Sequence, residues 1–317
     1  MAVLSWLQRR SLDPPCTSVV CYWKKSTLAK IGTAIKGICL VQEKDLDNGD
    51  NYVNEEPEEY KNFFANILEE GIASGCIGQI IMDFKPVSEI YMLSLHHLIQ
   101  NFIGNKVENF IKHCQMEMLD ETIDDAEKET RSQSNCLLWY ELRFGRITAS
   151  ILYQTSKCKT NDGSLVERIM GARLADSLEM RRGRNLEPQV LKVVERLIKQ
   201  KIKKSGLILS NKFPIFGASP DGLSDTHVYE IKCPKKEATF KKYFVNGKIA
   251  PQYRAQVQLQ MLFARKKRAY FCVAYPNFEQ SKKVEILEDT LDVAFLKPVM
   301  IDARDFWMEN IFNLLKF

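Results

Sequence analysis

The second half of this 317-residue chain reads as an α/β (α+β) domain, a mixed central β-sheet flanked by helices, and a mostly helical N-terminal lobe precedes it. Three observations carry that reading. Residues 213–234 have apolar, extended ends around the Pro-Asp-Gly turn chemistry of residues 219–224, the signature of a β-hairpin. Helical apolar spacing stands on both sides of it, at Val190, Leu191 and Val194 before and at Val257 and Met261 after. Strand-like runs then follow at 270–275 and 283–288, ahead of a closing amphipathic helix over 302–317.

Composition narrows the class. At 45% hydrophobic residues the chain can bury a core, and no run of about 18 apolar residues is present to cross a membrane. The apolar patch 3–7 ahead of Arg9 and Arg10 is too short for a secretory signal. Nine cysteines include no Cys-x-x-Cys pair, and their odd number closes no disulfide framework, so reducing, intracellular surroundings are expected. Four histidines, and Cys16 and Cys21 without a second pair, give no basis for a zinc site. The net charge of +5 hides an asymmetry: residues 1–135 hold 13 basic and 21 acidic side chains, residues 136–317 hold 32 and 19. Basic clusters at 181–204, 235–248 and 265–268 are either solvated faces or the path of a polyanion.

Taken in order, residues 1–57 read as an irregular arm and an acidic loop. Residues 58–130 form the helical lobe, with helical spacing at Tyr60, Phe63, Phe64, Ile67 and Leu68 and again at Leu95, Leu98, Ile99, Phe102 and Ile103. The acidic run 120–129 reads as a linker, and residues 131–317 as the second domain. A helix carrying Trp139 and Arg143 stops at Gly145, a C-cap type glycine, and Ser150 opens the next helix. Arg143, Arg146, Ser150 and free helix N–H groups would make a small anion site, unless the arginine simply packs beside the tryptophan. Asn185 caps a helix with Pro188 in its first turn. On that helix Glu187 shares the stripe of Val190, Leu191 and Val194, as an inward-facing acid or as a first-turn residue favoured by the helix dipole.

In the hairpin, strand alternation puts Glu230 and Lys232 on one face and Ile231 on the other, and the fold-back brings Asp221 to the same end. Two acids and a lysine in one volume suit a hard cation and a water to be activated, although a Pro-Asp-Gly turn and a Glu-x-Lys pair are each commonly structural. Pro251 then begins a helix whose Gln252, Gln256 and Gln260 form one polar stripe.

Asp221 followed nine residues later by Glu-x-Lys resembles the core of the PD-(D/E)XK nucleases. Leu142-Arg-Phe-Gly-Arg-Ile-Thr-Ala-Ser150 is similar to the opening motif of the phage lambda exonuclease and YqaJ viral recombinase family, Gly183-Arg-Asn-Leu-Glu187 to its Gly-x-x-x-Glu helix, and the Tyr253-x-x-Gln256-x-Gln258 pattern to its glutamine motif. Cys16-Thr-Ser-Val-Val-Cys-Tyr-Trp23 resembles a segment of eukaryotic, transposon-associated YqaJ proteins. The resemblance spans about residues 133–312. It implies a restriction-endonuclease-like core and a DNA nuclease that uses Mg²⁺ or Mn²⁺, two ions, held by Asp221, Glu230, the Ile231 carbonyl and Glu187. Lys232 and Gln256 would complete the catalytic set. Arg143, Ser150 and Ser219 would hold a terminal 5′ phosphate. A further family arginine falls near Ala238, so Lys235 or Lys236 takes its place or the contact is lost. The implied partners are double-stranded DNA ends, further copies of the chain in a ring trimer, and a recombination partner protein. The implied activity is an exonuclease in recombination, repair or viral and mobile-element DNA processing, with nuclear placement. A non-catalytic DNA-end or branch binder, a structure-specific endonuclease and an RNA substrate remain alternatives.

Overall fold

Helices open the part of the chain visible in the structure, a computed structural model that describes residues 89–160, 163–172 and 177–316. The expected arm, the acidic loop and the helical spacing at Tyr60 to Leu68 lie outside the described residues. Helices α1 (Leu95–Gln100), α2 (Val107–Glu117) and α3 (Asp120–Glu129) come first. Ser94 starts α1, its Oγ accepting from the His97 N–H at 3.2 Å. Ile103, assigned to the apolar stripe of α1, is 99% exposed because the helix stops at Gln100. The acidic run expected as a linker is α3. Its acids Asp120 and Glu121 sit in the first turn, where the dipole favours them, while Ile123 and Ala126 enter the same core as Leu95, Phe110 and Leu315.

Helix α4 (Leu137–Arg143) ends as expected ahead of Gly145, whose φ of +71° is a left-handed position. There the Gly145 N–H donates to the Ile169 carbonyl at 2.7 Å, and its own carbonyl accepts from Trp307 Nε1 at 2.6 Å. Strand β1 (Ile147–Thr148) follows, then a 3₁₀ turn at Ala149–Ile151, α5 (Leu152–Lys157), α6 (Ser164–Ile169) and the long α7 (Leu178–Ile198). Ser150 therefore sits in the 3₁₀ turn rather than at a helix cap. Helix α7 is capped by Ser177, not Asn185, which leaves Pro188 inside it. An interior proline costs about 3 kcal/mol, and burial of Leu186, Val190, Leu191 and Val194, at roughly 1.5–3 kcal/mol each, offsets it.

Strand β2 (Phe216–Gly217) pairs in parallel with β1, and β3 (Gly222–Leu223) forms a hairpin with β4 (His227–Lys232). The hairpin thus turns at 224–226, later than expected: the Ser224 N–H donates to the His227 carbonyl at 2.9 Å and the His227 N–H to Ser224 Oγ at 3.1 Å. Gly222 serves close packing instead of a turn, since a Cβ there would stand 2.4 Å from Ile202 Cγ2. Next come α8 (Glu237–Lys241), β5 (Phe244–Val245), β6 (Lys248–Ile249), α9 (Pro251–Phe263), β7 (Arg268–Ala274), α10 (Phe278–Ser281), β8 (Val284–Thr290), α11 (Val293–Asn310) and α12 (Phe312–Leu315). Pro251 occupies the first turn of α9, as its sequence requires. Helix α11 starts well before residue 302 because Asp292 caps it, Oδ1 accepting from the Phe295 N–H at 3.0 Å.

The central sheet has the order β3-β4-β7-β8, antiparallel, parallel, antiparallel. Alternation along β4 serves both faces: Tyr229 and Ile231 pack with Leu186, Val190 and Val194 of α7, and Val228 packs with Val257 and Met261 of α9. This is the mixed sheet between helices, preceded by helices, that the sequence predicts. No helix among the described residues is long and apolar enough to cross a membrane.

Arg146, read from sequence as a phosphate ligand, is instead a buried staple at 1% exposure. Its Nε donates to the Pro214 carbonyl at 2.8 Å, Nη1 to Leu142 at 2.6 Å and Nη2 to Leu93 at 2.5 Å. Burial pushes its pKa down to about 10, and its donors are committed to backbone. Arg146→Leu leaves those carbonyls unsatisfied and is expected to cost roughly 3 kcal/mol or more in urea unfolding; an unchanged midpoint would refute the staple.

Candidate active site

Strand β4 and helix α9 build the centre of the site. Glu230 and Lys232 point to one side of β4, and Lys232 Nζ donates to Glu230 Oε1 at 2.5 Å. Helix α9 adds two amides: Gln256 Nε2 donates to the same Oε1 at 2.7 Å, and Gln260 Nε2 donates to Oε2 at 2.6 Å. Gln256 Oε1 also accepts from Lys232 at 3.4 Å. Glu230, at 2% exposure, is thereby held by three donors, the condition for burying a charged carboxylate.

Asp221 approaches from the start of β3. Its Oδ2 accepts from the Ile231 N–H at 2.6 Å, and its own N–H donates to the Tyr229 carbonyl at 3.1 Å. Its carboxyl is pushed well above the ordinary range by burial and then by Glu230 and Glu187, against the pull of Lys232 and the Ile231 N–H. Glu187, half-buried on α7, is also raised, by burial first and Glu230 second, with Lys204 and Lys232 opposing. Burial alone would lower the Lys232 pKa, but Glu230 and Asp221 reverse this and hold it above the ordinary lysine value.

The site is therefore short of positive charge. Neither the second oxygen of Asp221 nor the Glu187 carboxylate has a hydrogen-bond partner among the described residues. Among those residues no group of three or more His, Cys, Asp or Glu side chains is arranged to hold an ion by itself. Mg²⁺ does not demand one, because it is bound through one or two carboxylates and keeps several waters. The donor set fits such a hard cation: oxygen only, charged, and electrostatically unsatisfied.

The glutamine stripe is corrected by the structure. Gln252 is exposed, but Gln256 and Gln260 face Glu230, and Gln258, off the stripe, donates to Asp289 at 2.9 Å and to the Thr290 carbonyl at 2.7 Å. Gln260 is a site residue that the sequence reading left unassigned, although its four-residue spacing from Gln256 was the signal. It also donates to the Ser219 carbonyl at 3.4 Å, and its own Oε1 is buried without a partner. Tyr253 is a second such residue, its ring centroid 6.0 Å from Lys232 Nζ and 4.6 Å from the Tyr243 ring.

Of the residues read as phosphate ligands, Arg143 and Ser219 meet through Trp139. The Arg143 guanidinium lies 3.6 Å from the Trp139 ring centroid, and Trp139 Nε1 donates to Ser219 Oγ at 3.0 Å. Burial pushes the Arg143 pKa down to about 10, and its N–H groups have no hydrogen-bond acceptor among the described residues. Thr148 stands opposite Gly217 in the parallel β1-β2 pair, so Ser150 and Ser219 leave it at the same end. Ser150 borders a cavity of about 530 Å³ with Tyr153, Gln154, Lys157, Cys158, Gln252 and Tyr253. Lys235 and Lys236 are exposed in the loop after β4.

The raised carboxyl of Asp221 fixes the sign of a pH effect. The folded protein favours its protonated form, so the stability linked to it is present below the unfolded-chain value of about 3.9 and is lost as pH rises through the raised folded value. Asp221→Asn is expected to raise Tm near neutral pH in a chelator, by about 2–4 °C per kcal/mol relieved, with the gain vanishing toward about pH 4. Calorimetry across that range checks it, and a neutral-pH Tm below that of the unaltered protein would contradict the repulsion.

No protein of curated function matches the chain in sequence. An alkaline exonuclease from Laribacter hongkongensis is similar in structure, with 26% identity, a TM-score of 0.47, and coverage of 54% of this chain and 90% of its own. The shutoff and exonuclease protein of Kaposi's sarcoma associated herpesvirus is 14% identical over 75% of this chain and 84% of its own, with a TM-score of 0.44. A phage related exonuclease from Haemophilus somnus is 14% identical over 53% of this chain and 96% of its own, at a TM-score of 0.40. The family model of the YqaJ-like viral recombinase domain matches residues 138–267, which hold Arg143, Glu187, Asp221, Glu230, Lys232 and Gln256.

Proposed function

We propose that this chain is a metal-dependent deoxyribonuclease of PD-(D/E)XK type, an exonuclease on double-stranded DNA ends in recombination, repair or the processing of viral or mobile-element DNA. One observation carries the reading: Asp221, Glu230 and Lys232 converge at the end of β4 with more negative charge than the site neutralises. A pure DNA binder gains nothing by placing acids beside phosphates.

Asp221, Glu230, the Ile231 carbonyl and Glu187 would hold Mg²⁺ or Mn²⁺, two ions. When bound, they neutralise charge on the phosphate and lower the pKa of water. Lys232, kept protonated by its acids, presents a positive charge to the reacting phosphate, and Gln256 fixes Lys232 and Glu230 relative to each other. Gln260 holds the other Glu230 oxygen in place. Arg143, Ser150 and Ser219 receive a terminal 5′ phosphate, and Lys235 and Lys236 follow the strand. A ring-forming homo-oligomer, a recombination partner protein and nuclear placement belong to the same reading, through the family resemblance.

The test is release of nucleotides from linear duplex DNA with Mg²⁺, with and without a 5′ phosphate, beside a closed circle. Loss confined to linear DNA and abolished by Asp221→Asn is expected, and Lys232→Ala should lower the rate on the order of 10²-fold or more. Tight binding without cleavage would replace the reading with a DNA-end binder, and nicked circles would replace it with an endonuclease.

A further inference from the structure

After α7 the chain doubles back at Lys199, a left-handed residue with φ of +57°, and runs along the outer edge of β3. The Lys203 N–H donates to the Leu223 carbonyl and the Leu223 N–H to the Lys203 carbonyl, both at 2.8 Å, in an antiparallel bridge. In that register Lys204 stands opposite Gly222 and Ser205 opposite Asp221. Gln133 fixes the segment there, its Nε2 donating to the Ser205 carbonyl at 2.9 Å and to the Pro220 carbonyl at 3.0 Å. Alternation puts Lys204 on the same face as Ile202. That face is the one α7 covers: Ile202 packs in the cluster of Leu186, Leu191 and Tyr229, and its N–H donates to Glu195 at 2.8 Å. Because the segment runs back along α7, the rise of about 7 Å from Ile202 to Lys204 matches the rise of about 6 Å from Leu191 to Glu187. Lys204 therefore reaches the mouth of the site on the Glu187 side.

Its charge is felt there. Burial and Glu230 raise the Glu187 pKa, and Lys204, ahead of Lys232, opposes the rise. The side chain is nevertheless not tied down: it is exposed and forms no ion pair or hydrogen bond among the described residues. Lys232 is its opposite, 21% exposed and bonded to Glu230. The acids thus lie between two lysines, Lys232 on the α9 face of the sheet and Lys204 on the α7 face. A lysine that served only to neutralise Glu187 would close an ion pair with it, as Lys232 does with Glu230. A phosphate entering past Glu187 meets negative charge, and a free ammonium at that lip offsets the repulsion and supplies a charge-assisted hydrogen bond.

We propose that Lys204 binds a backbone phosphate of the DNA next to the cleaved bond, on the lip of the site opposite Lys232. This rests on the nuclease reading of the same site. The probe is a set of hairpin DNAs with one blunt end and fluorescein in the loop, each carrying a single neutral methylphosphonate among the phosphates nearest that end. Binding is followed by anisotropy in a chelator. One position should weaken binding by the unaltered protein roughly tenfold, the weight of one charge-assisted contact. Lys204→Ala should bind the unmodified hairpin roughly tenfold more weakly, lose nothing further at that position, and reduce the steepness of log K against log salt by about 0.9. Lys204→Arg should regain the sensitivity to that position. A Lys204→Ala protein that keeps the unaltered protein's response at every position would overturn the proposal. So would unchanged DNA affinity with a lowered Tm in chelator, which would make Lys204 a neutraliser of Glu187. An unaltered protein that binds none of the hairpins sinks this contact together with the nuclease reading. If the expected pattern appears and Mg²⁺ brings no cleavage, the nuclease reading alone fails and the contact stands.

Discussion

Glu230 places a carboxyl group on the central strand at 2% exposure, and every other feature of the site adjusts to that. A buried carboxylate needs donors, and they come from Lys232 on its own strand and from Gln256 and Gln260 on α9. Strand and helix must then keep their relative register to within the tolerance of a hydrogen bond. The apolar contacts of Val228, Phe271 and Val273 with Val257 and Met261 set that register, so core packing and site geometry are one constraint.

The opposite face of the sheet presents the complementary problem. Helix α7 brings Glu187 toward a centre that already holds Glu230 and Asp221, and its apolar stripe against Tyr229 and Ile231 keeps it there. Arg182 reinforces the approach, donating to the Cys233 carbonyl at 3.3 Å, the Pro276 carbonyl at 2.9 Å and Glu279 at 2.7 Å, which ties α7 to the end of β4. Packing energy thus holds carboxylates together against their repulsion. The cluster is destabilised by its own charge, and the packing of α7 on β4 offsets that cost.

Arginine use separates the roles within this domain. Arg146 gives its donors to backbone carbonyls and joins the segments that carry Leu93, Leu142 and Pro214. Arg143, three residues earlier, stacks on Trp139 and leaves its N–H groups open. The first is a structural member and the second is available to an anion, although both lie in the same short motif.

Local stereochemistry made part of this legible in the sequence alone. Alternation along a strand put Glu230 and Lys232 on one face, a glycine after Arg143 ended its helix, and Pro251 began the next, because each depends only on its neighbours in the chain. Asp221, Glu187 and Gln256 stood out in the sequence through their resemblance to nuclease motifs, not through a local rule. Only the tertiary structure decided that Arg146 is sealed inside, that Gln260 faces Glu230 instead of water, that residues 120–129 are a packed helix, and that the hairpin turns at 224–226 rather than at Pro-Asp-Gly. Those outcomes depend on which distant segment packs against each residue: Pro214 against Arg146, β4 against α9, Ile202 against Gly222. Burial and partner supply belong to the whole fold, and no local pattern encodes them.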